Sequence, residues 1–367
     1  LLDANLRAKL TQYIIEHYKT PEQYVVGEFV NHDIVFLGEY HRIKHDVELV
    51  HELIPLLYAN RIYNLGMEFA NYTDQDDIDR LITADTYDES LARRIQFNMW
   101  PFWGYQEYID IFRVAWQLNH KLPKNARRFR VVGLNAKADW SYILTEEDRK
   151  NPEIMKKVWK YGSGDEVMAN VIIKEFVEKG EKALIYSGIT HAFTEYRQPI
   201  YDESQDKFVG FNEDRMGNRV YKKIGKKCIT IFLHSPWLGE KGYSTDVYPA
   251  DGVIDAIMLG LDPKYRRVGF DVKRTPFEKL RGETSLWKYG YDRFTLGMYC
   301  DGYIYQKPLS MYKGVTFAKG FINKSNRLYA IAQSANPRTK ETSRSVGDIM
   351  VSMERDADFT SRFRQFR

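Results

Sequence analysis

Short apolar runs alternate with longer amphipathic stretches along this chain, and each run is stopped by a glycine or a polar residue. Residues 34–37 form the first run. A segment that short, rich in β-branched and aromatic residues and closed by Gly38, predicts a buried strand. Residues 64–69, 129–135, 183–187 and 229–234 repeat the pattern, and 267–271 and 301–305 are shorter candidates. Between the runs the apolar period changes to that of a helix. Leu6, Leu10, Tyr13, Ile14 and Tyr18 mark one helix within residues 3–20, and Val47, Leu49, Val50, Leu53, Leu56 and Leu57 mark another after the first strand. Pro55 is expected to kink or break that second helix. Residues 74–91 predict short surface helices, the aromatic cluster 99–108 opens a further helix, and 146–179 predict two more, parted by Gly162-Ser-Gly-Asp165. Strands that alternate with helices predict an α/β protein, with a mixed, mainly parallel central sheet and helices on both faces. Residues 1–235 are expected to form this core. Residues 236–367 form a less regular C-terminal portion, packed on the same sheet or covering the site, with a single domain as the alternative.

The polar residues that close the strands carry the chemistry. The first run leads through Gly38 into Glu39, His41, Arg42, His45 and Asp46. The run 183–187 leads through Gly188 into His191, so both read strand-Gly-x-x-His. One such motif is nearly uninformative, because a turn histidine is ordinarily satisfied by the backbone; two, each directly after a buried-strand pattern, are more telling. Glu68, Asn135 and His234 close other strands. If the strands run parallel, these groups share the carboxyl edge of the sheet, where α/β proteins bind ligands.

Composition narrows the function classes. With 44% hydrophobic and 28% charged residues the 367-residue chain is globular in type, and 54 basic against 50 acidic residues leave a net charge of +4, too small to argue for nucleic acid. Basic residues gather near the end (Arg338, Lys340, Arg344, Arg355, Arg362, Arg364, Arg367), but acidic residues are interspersed, which predicts a solvated helix or tail. The two cysteines, Cys228 and Cys300, form no Cys-x-x-Cys or zinc pattern; Cys228 is expected to be a buried thiol, and a single disulfide stays open. No apolar stretch approaches the ~20 residues of a membrane span, and there is no phosphate-binding glycine loop or Gly-x-Ser-x-Gly elbow.

Gly38-Glu-Tyr-His41 and Gly188-Ile-Thr-His191, with Gly66-Met-Glu68 between them, resemble the superfamily of erythromycin esterases, ChaN-type haem-binding lipoproteins and Tiki/TraB proteins. Its signature is a pair of Gly-x-x-His motifs with a glutamate ending the following strand. Trp103-Gly-Tyr-Gln-Glu107 and Arg130-Val-Val-Gly-Leu-Asn135 are similar to the esterase branch, except that Leu134 and Asn135 replace an aromatic and an aspartate. The likeness covers roughly residues 30–200. The first motif has the tighter ChaN/Tiki spacing, and the second lacks the additional histidine usual in the esterases; both departures point away from macrolide hydrolysis.

Three readings follow. In the first, His41 takes a proton from water, oriented by Glu39 or Glu68, while His191 stabilises developing charge or protonates the leaving group of an ester or amide. Arg42 would hold an anionic group or an oxyanion. The esterase branch implies that this hydrolysis needs no metal. In the second, implied by the Tiki branch, His41, His191 and Glu68 hold Zn²⁺ or Mn²⁺ with a bound water as nucleophile. His45 joins either version or is a helix cap, Glu107 supports a neighbour or the helix dipole, and Asn135 and His234 read as strand-end hydrogen-bonders. The third, implied by ChaN, is haem binding without turnover, with Tyr40, Trp100, Trp103 and Tyr105 flanking a flat ligand; core packing is the competing explanation for those rings. The expected partner is a small molecule or peptide. A start at Leu1 without Met, with the ChaN-like motifs, points to export with the signal removed, and a cytoplasmic protein is the alternative.

Overall fold

The computed structural model describes residues 2–202, 205–240, 242–343 and 345–366. Leu1, Arg344 and Arg367 lie outside these. In chain order the strands are β1 (Ile34–Glu39), β2 (Asn64–Asn71), β3 (Arg130–Asn135), β4 (Ala183–Gly188), β5 (Gln198–Asp202), β6 (Lys207–Asn212), β7 (Cys228–Leu233), β8 (Trp237–Gly239), β9 (Gly242–Val247), β10 (Val268–Asp271) and β11 (Gly302–Tyr305). Two compact units divide the chain: residues 1–41, 180–312 and 360–367 form the first, and 42–179 with 313–359 the second.

In the first unit five strands run in the order β10-β11-β7-β1-β4. β1 is parallel to both β4 and β7, β11 is parallel to β7, and only β10 is antiparallel. Every residue of β1, β4 and β7 is buried, which is why these segments read as unbroken apolar runs rather than as alternations. Gly38 is required by packing: a Cβ there would lie 2.5 Å from the ring of Phe232 on the neighbouring β7. β5–β6 and β8–β9 are separate antiparallel pairs. Helix α1 (Ala4–Glu16) is shorter than its apolar pattern suggests, because Thr20 and Pro21 start a second helix, α2 (Pro21–Glu28). The Thr20 hydroxyl accepts from the Gln23 amide at 3.3 Å and the Gln23 side chain accepts from the Thr20 amide at 3.1 Å, a capping box that the sequence displays but apolar spacing does not register. Tyr24 of α2 donates to Asp271 at the end of β10, 2.9 Å away. Cys228 and Cys300 are free buried thiols rather than a disulfide, and burial pushes both well above the usual thiol range.

In the second unit β2 and β3 pair in parallel, alongside α3 (Lys44–Ala59), α4 (Gln75–Thr83), α5 (Glu89–Met99) and α6 (Gln106–Lys121). α3 continues through Pro55 without a break. Residues 146–179 supply helices at Pro152–Val158 and Gly164–Ile172, the latter opening just inside the Gly162–Asp165 segment. Asn119 locks α6 to the start of β3: its Nδ2 donates to Phe129 O at 2.9 Å and its Oδ1 accepts from Phe129 N at 2.8 Å. Among the described residues, no helix is long and apolar enough to cross a membrane.

Candidate functional site

The order β7-β1-β4 means that the chain leaves β1 toward one neighbour and later returns on its other side. The strand order therefore reverses at β1, and in α/β sheets the crevice beyond the carboxyl ends at such a point is where ligands bind. His41 lies two residues past β1. His191 lies on the short turn Ile189–Ala192 that follows β4, and Glu39 is in register with Gly188. The two Gly-x-x-His motifs thus leave neighbouring parallel strands at the same edge, and both histidines are half-buried.

Glu39 is the anchor of this edge. It is 1% exposed, and an ionised carboxylate that deep needs partners to remain charged. His41 supplies one: its Nδ1 lies 2.9 Å from Glu39 Oε1. Tyr186 supplies another, its hydroxyl donating to Oε2. Strand geometry explains the meeting. Tyr186 precedes Gly188 by two residues on β4 and so shares its face; Gly188 is paired with Glu39 and has no side chain to intervene. Because a carboxylate only accepts, the Nδ1 of a neutral His41 carries the proton and Nε2 the lone pair. The His41 side chain is 35% exposed against 0% for Glu39, so a basic nitrogen is fixed at the surface by a buried charge. Tyr186 was not among the residues singled out in the sequence. Its signal was a hydroxyl within an apolar run, two positions before a motif glycine.

His234, directly after β7, is sealed instead. It is 2% exposed; its Nε2 is 3.2 Å from Asp255 Oδ1 and its Nδ1 is 3.0 Å from the Tyr303 hydroxyl. It is the strand-end hydrogen-bonder that its position suggested.

The remaining candidates belong to the second unit. Arg42 has a left-handed backbone, φ 73°, rare for a side chain with a Cβ. Its amide donates to the Tyr108 hydroxyl at 3.0 Å and its carbonyl accepts from Val315 at 3.0 Å. Its Nε donates to Tyr105 at 3.1 Å, and its guanidinium lies 4.3 Å from the Trp103 ring centre. Glu107, 7% exposed, accepts from Thr316 N and Oγ1 at 2.6 and 2.8 Å and pairs with Lys44 at 2.9 Å. The bond to Glu107 raises the Lys44 pKa. His45 is buried in the first turn of α3, its Nε2 3.5 Å from Asp46. Glu68 is half-buried near the end of β2, and Asn135 donates to the Glu68 carbonyl at 3.1 Å, tying β3 to β2.

Two expectations are corrected. Trp103 and Tyr105 do not flank an open ligand site: they are 5% and 0% exposed. Trp103 stacks on Phe69 at 5.4 Å, and the Tyr105 hydroxyl is occupied by Arg42 and by the Met353 carbonyl, 3.0 Å away. Trp100 is half-buried and donates to Gln333 O at 3.0 Å. The second correction concerns metal. Among the described residues no group of three or more His, Cys, Asp or Glu is arranged to hold an ion, so Zn²⁺ or Mn²⁺ at His41, His191 and Glu68 is not supported.

Residues 25–160 match the family described as haem-binding uptake, Tiki superfamily, ChaN. That span contains Glu39, His41 and Glu68 but not His191. No curated protein matches the chain. Solved structures with some likeness include a Bacillus cereus protein at 12% identity, covering 85% of this chain and 99% of that one with a TM-score of 0.47. A succinoglycan biosynthesis protein aligns at 13% identity over 63% and 76% of the two chains, TM-score 0.44. ChaN of Campylobacter jejuni, a cofacial haem binder, aligns at 17% identity over 59% and 87%, TM-score 0.38. Scores this low carry no weight for function.

Proposed function

For a chain whose residues 25–160 match the haem-binding, Tiki-superfamily ChaN family, we propose hydrolysis of an ester or amide, with His41 as general base. The observation that carries this reading is the 2.9 Å contact between His41 Nδ1 and the buried Glu39 carboxylate. Glu39 holds the imidazole with its lone pair on Nε2. As water attacks the substrate carbonyl carbon, Nε2 takes the water proton, and the carboxylate stabilises the imidazolium that forms. Tyr186 holds the second carboxylate oxygen, so the carboxylate does not rotate away. His191, beyond the adjacent strand, delivers a proton to the leaving oxygen or nitrogen.

Haem binding is the second reading, favoured by the family match. The donor chemistry at His41 fits: an axial imidazole works best when its other nitrogen donates to a carboxylate or carbonyl. His41 would supply that ligand, and bound haem would make the chain a carrier.

One pair of experiments separates the two. Turnover is measured on a panel of carboxylic esters and amides, and haem is titrated into the same preparation. Hydrolysis predicts kcat/KM falling about 10²–10⁴-fold in His41→Ala at unchanged melting temperature. Turnover indifferent to His41→Ala would sink the catalytic assignment. A Soret band that saturates at one equivalent and disappears in His41→Ala, with no turnover on the panel, would establish the second reading instead.

A further inference from the structure

The second unit contains a groove of about 710 Å³ lined by residues 137–139 and Tyr142, by residues of the helix Pro152–Val158 with Lys160 and Tyr161 after it, and by Tyr329 and Gln333. This volume lies within the ~300–1,000 Å³ typical of small-molecule sites. Its composition is unusual for this molecule. The chain has 26 tyrosines, yet among the described residues the exposed ones are Tyr142, Tyr161 and Tyr329, and all three line this groove. An exposed ring in a concave surface offers a face on which another flat ring can stack.

Four lysines surround these rings: Lys137, Lys156, Lys157 and Lys160. Lys156 is paired with Glu153 at 2.7 Å. The other three make no ion pair among the described residues. The Nζ atoms of Lys157 and Lys160 lie 5.8 Å from the ring centres of Tyr142 and Tyr161, respectively, so positive charge and ring faces occupy the same space. Lysine binds phosphate as a mobile point charge, and Lys157 and Lys160, with Lys137 close enough to help lower the Asp139 pKa, call for a ligand with more than one negative charge. Asp139 adds an acceptor. Its Oδ1 takes bonds from Ser141 N at 3.1 Å, Ser141 Oγ at 2.6 Å and Gln333 Nε2 at 2.8 Å, while Oδ2 has no partner among the described residues. A ligand hydroxyl or ring N–H would satisfy it.

We infer that this groove binds a nucleoside diphosphate: a flat base against the tyrosines, a diphosphate among Lys137, Lys157 and Lys160, and a sugar hydroxyl or base N–H on Asp139 Oδ2. The groove shares no lining residue with Glu39 and His41, and its test does not depend on the hydrolytic reading.

The test is calorimetric titration of the full chain with ADP, with adenosine and inorganic pyrophosphate as part-ligands. The expected result is saturable ADP binding, with each part-ligand at least tenfold weaker. The double variant Lys157→Ala/Lys160→Ala should lose at least tenfold and most of the salt dependence, and Tyr161→Ala/Tyr329→Ala about five- to hundredfold, the range for a lost stacking partner. All four side chains are exposed, so unchanged melting temperatures are expected and will separate lost contacts from lost fold. No saturable heat up to about 1 mM ADP, the weak end of specific affinity, would overturn the inference. So would unaltered affinity in both variants, or pyrophosphate binding as tightly as ADP.

Discussion

At the scale of single residues, the site turns on the difference between a buried charge and an exposed base. Glu39 is enclosed, and its partners include His41 and Tyr186. Removing the charge but keeping the shape, Glu39→Gln, should lower His41-dependent turnover about 10²–10⁴-fold, because a side-chain amide can present its NH₂ to Nδ1 and select the other tautomer. Tyr186→Phe removes one anchor and should cost about tenfold, roughly one hydrogen bond to a charged group; kcat/KM across pH, measured with unchanged melting temperature, distinguishes both from unfolding. Gly38 has a steric role. Gly38→Ala should destabilise the fold by about 1–3 kcal/mol, the usual cost of overpacking, since Phe232 would be 2.5 Å from the added Cβ; a denaturant midpoint equal to wild type would contradict this. The sequence displayed Gly38, Glu39 and His41 as a motif. It did not display Tyr186 as their partner, because that contact depends on the register of β4 against β1, which no local pattern encodes.

At the scale of elements, the strands were readable because parallel strands buried on both faces leave continuous apolar runs, and 34–37, 183–187 and 229–234 all became β-strands. The misread segments have physical causes. α2 has little amphipathic contrast, so only its Thr20–Gln23 cap announces it. At Pro55 the local rule weighs one lost backbone bond, whereas α3 is held by a buried face that includes Val50, Leu53, Ile54 and Leu57. Glu107 was read as a site or dipole residue from its place at the head of α6. Its three contacts make it a clasp between that helix and Thr316. Glu107→Ala should therefore speed hydrogen exchange at the Thr316 amide and cost about 0.5–1.5 kcal/mol, the usual net worth of a lost hydrogen bond. Unchanged exchange at Thr316 would contradict the clasp.

At the scale of the molecule, the chain leaves the first unit after His41, returns at Gly180, leaves again at Lys313 and returns at Thr360. Apolar periodicity reports where elements begin and end but not which of them share a unit, so this path was not legible in the sequence. Acid stability is a property of the whole chain, and Glu175 is one of its sources. Burial pushes the Glu175 carboxyl up, but Lys179, Tyr72 and Arg130 outweigh it and bring it from 4.5 down to about 2. A depressed carboxyl stabilises the fold at pH above its unfolded value. That stabilisation is lost as pH falls from 4.5 through about 2. Glu175→Gln should remove about 2–3 kcal/mol of this pH-dependent stability, so the difference between wild-type and variant unfolding free energies should shrink across that window. A difference independent of pH would remove Glu175 from the account.

The central claim is that Glu39 sets the protonation pattern of His41, and ¹⁵N NMR of the imidazole reads that directly. Spectra of the wild type and of Glu39→Gln would be compared at about pH 8, where an ordinary histidine is neutral. The account predicts a protonated Nδ1 and a lone-pair Nε2 in the wild type, with that preference lost in the variant. A wild-type His41 protonated on Nε2, or a pattern unchanged by the substitution, would contradict it.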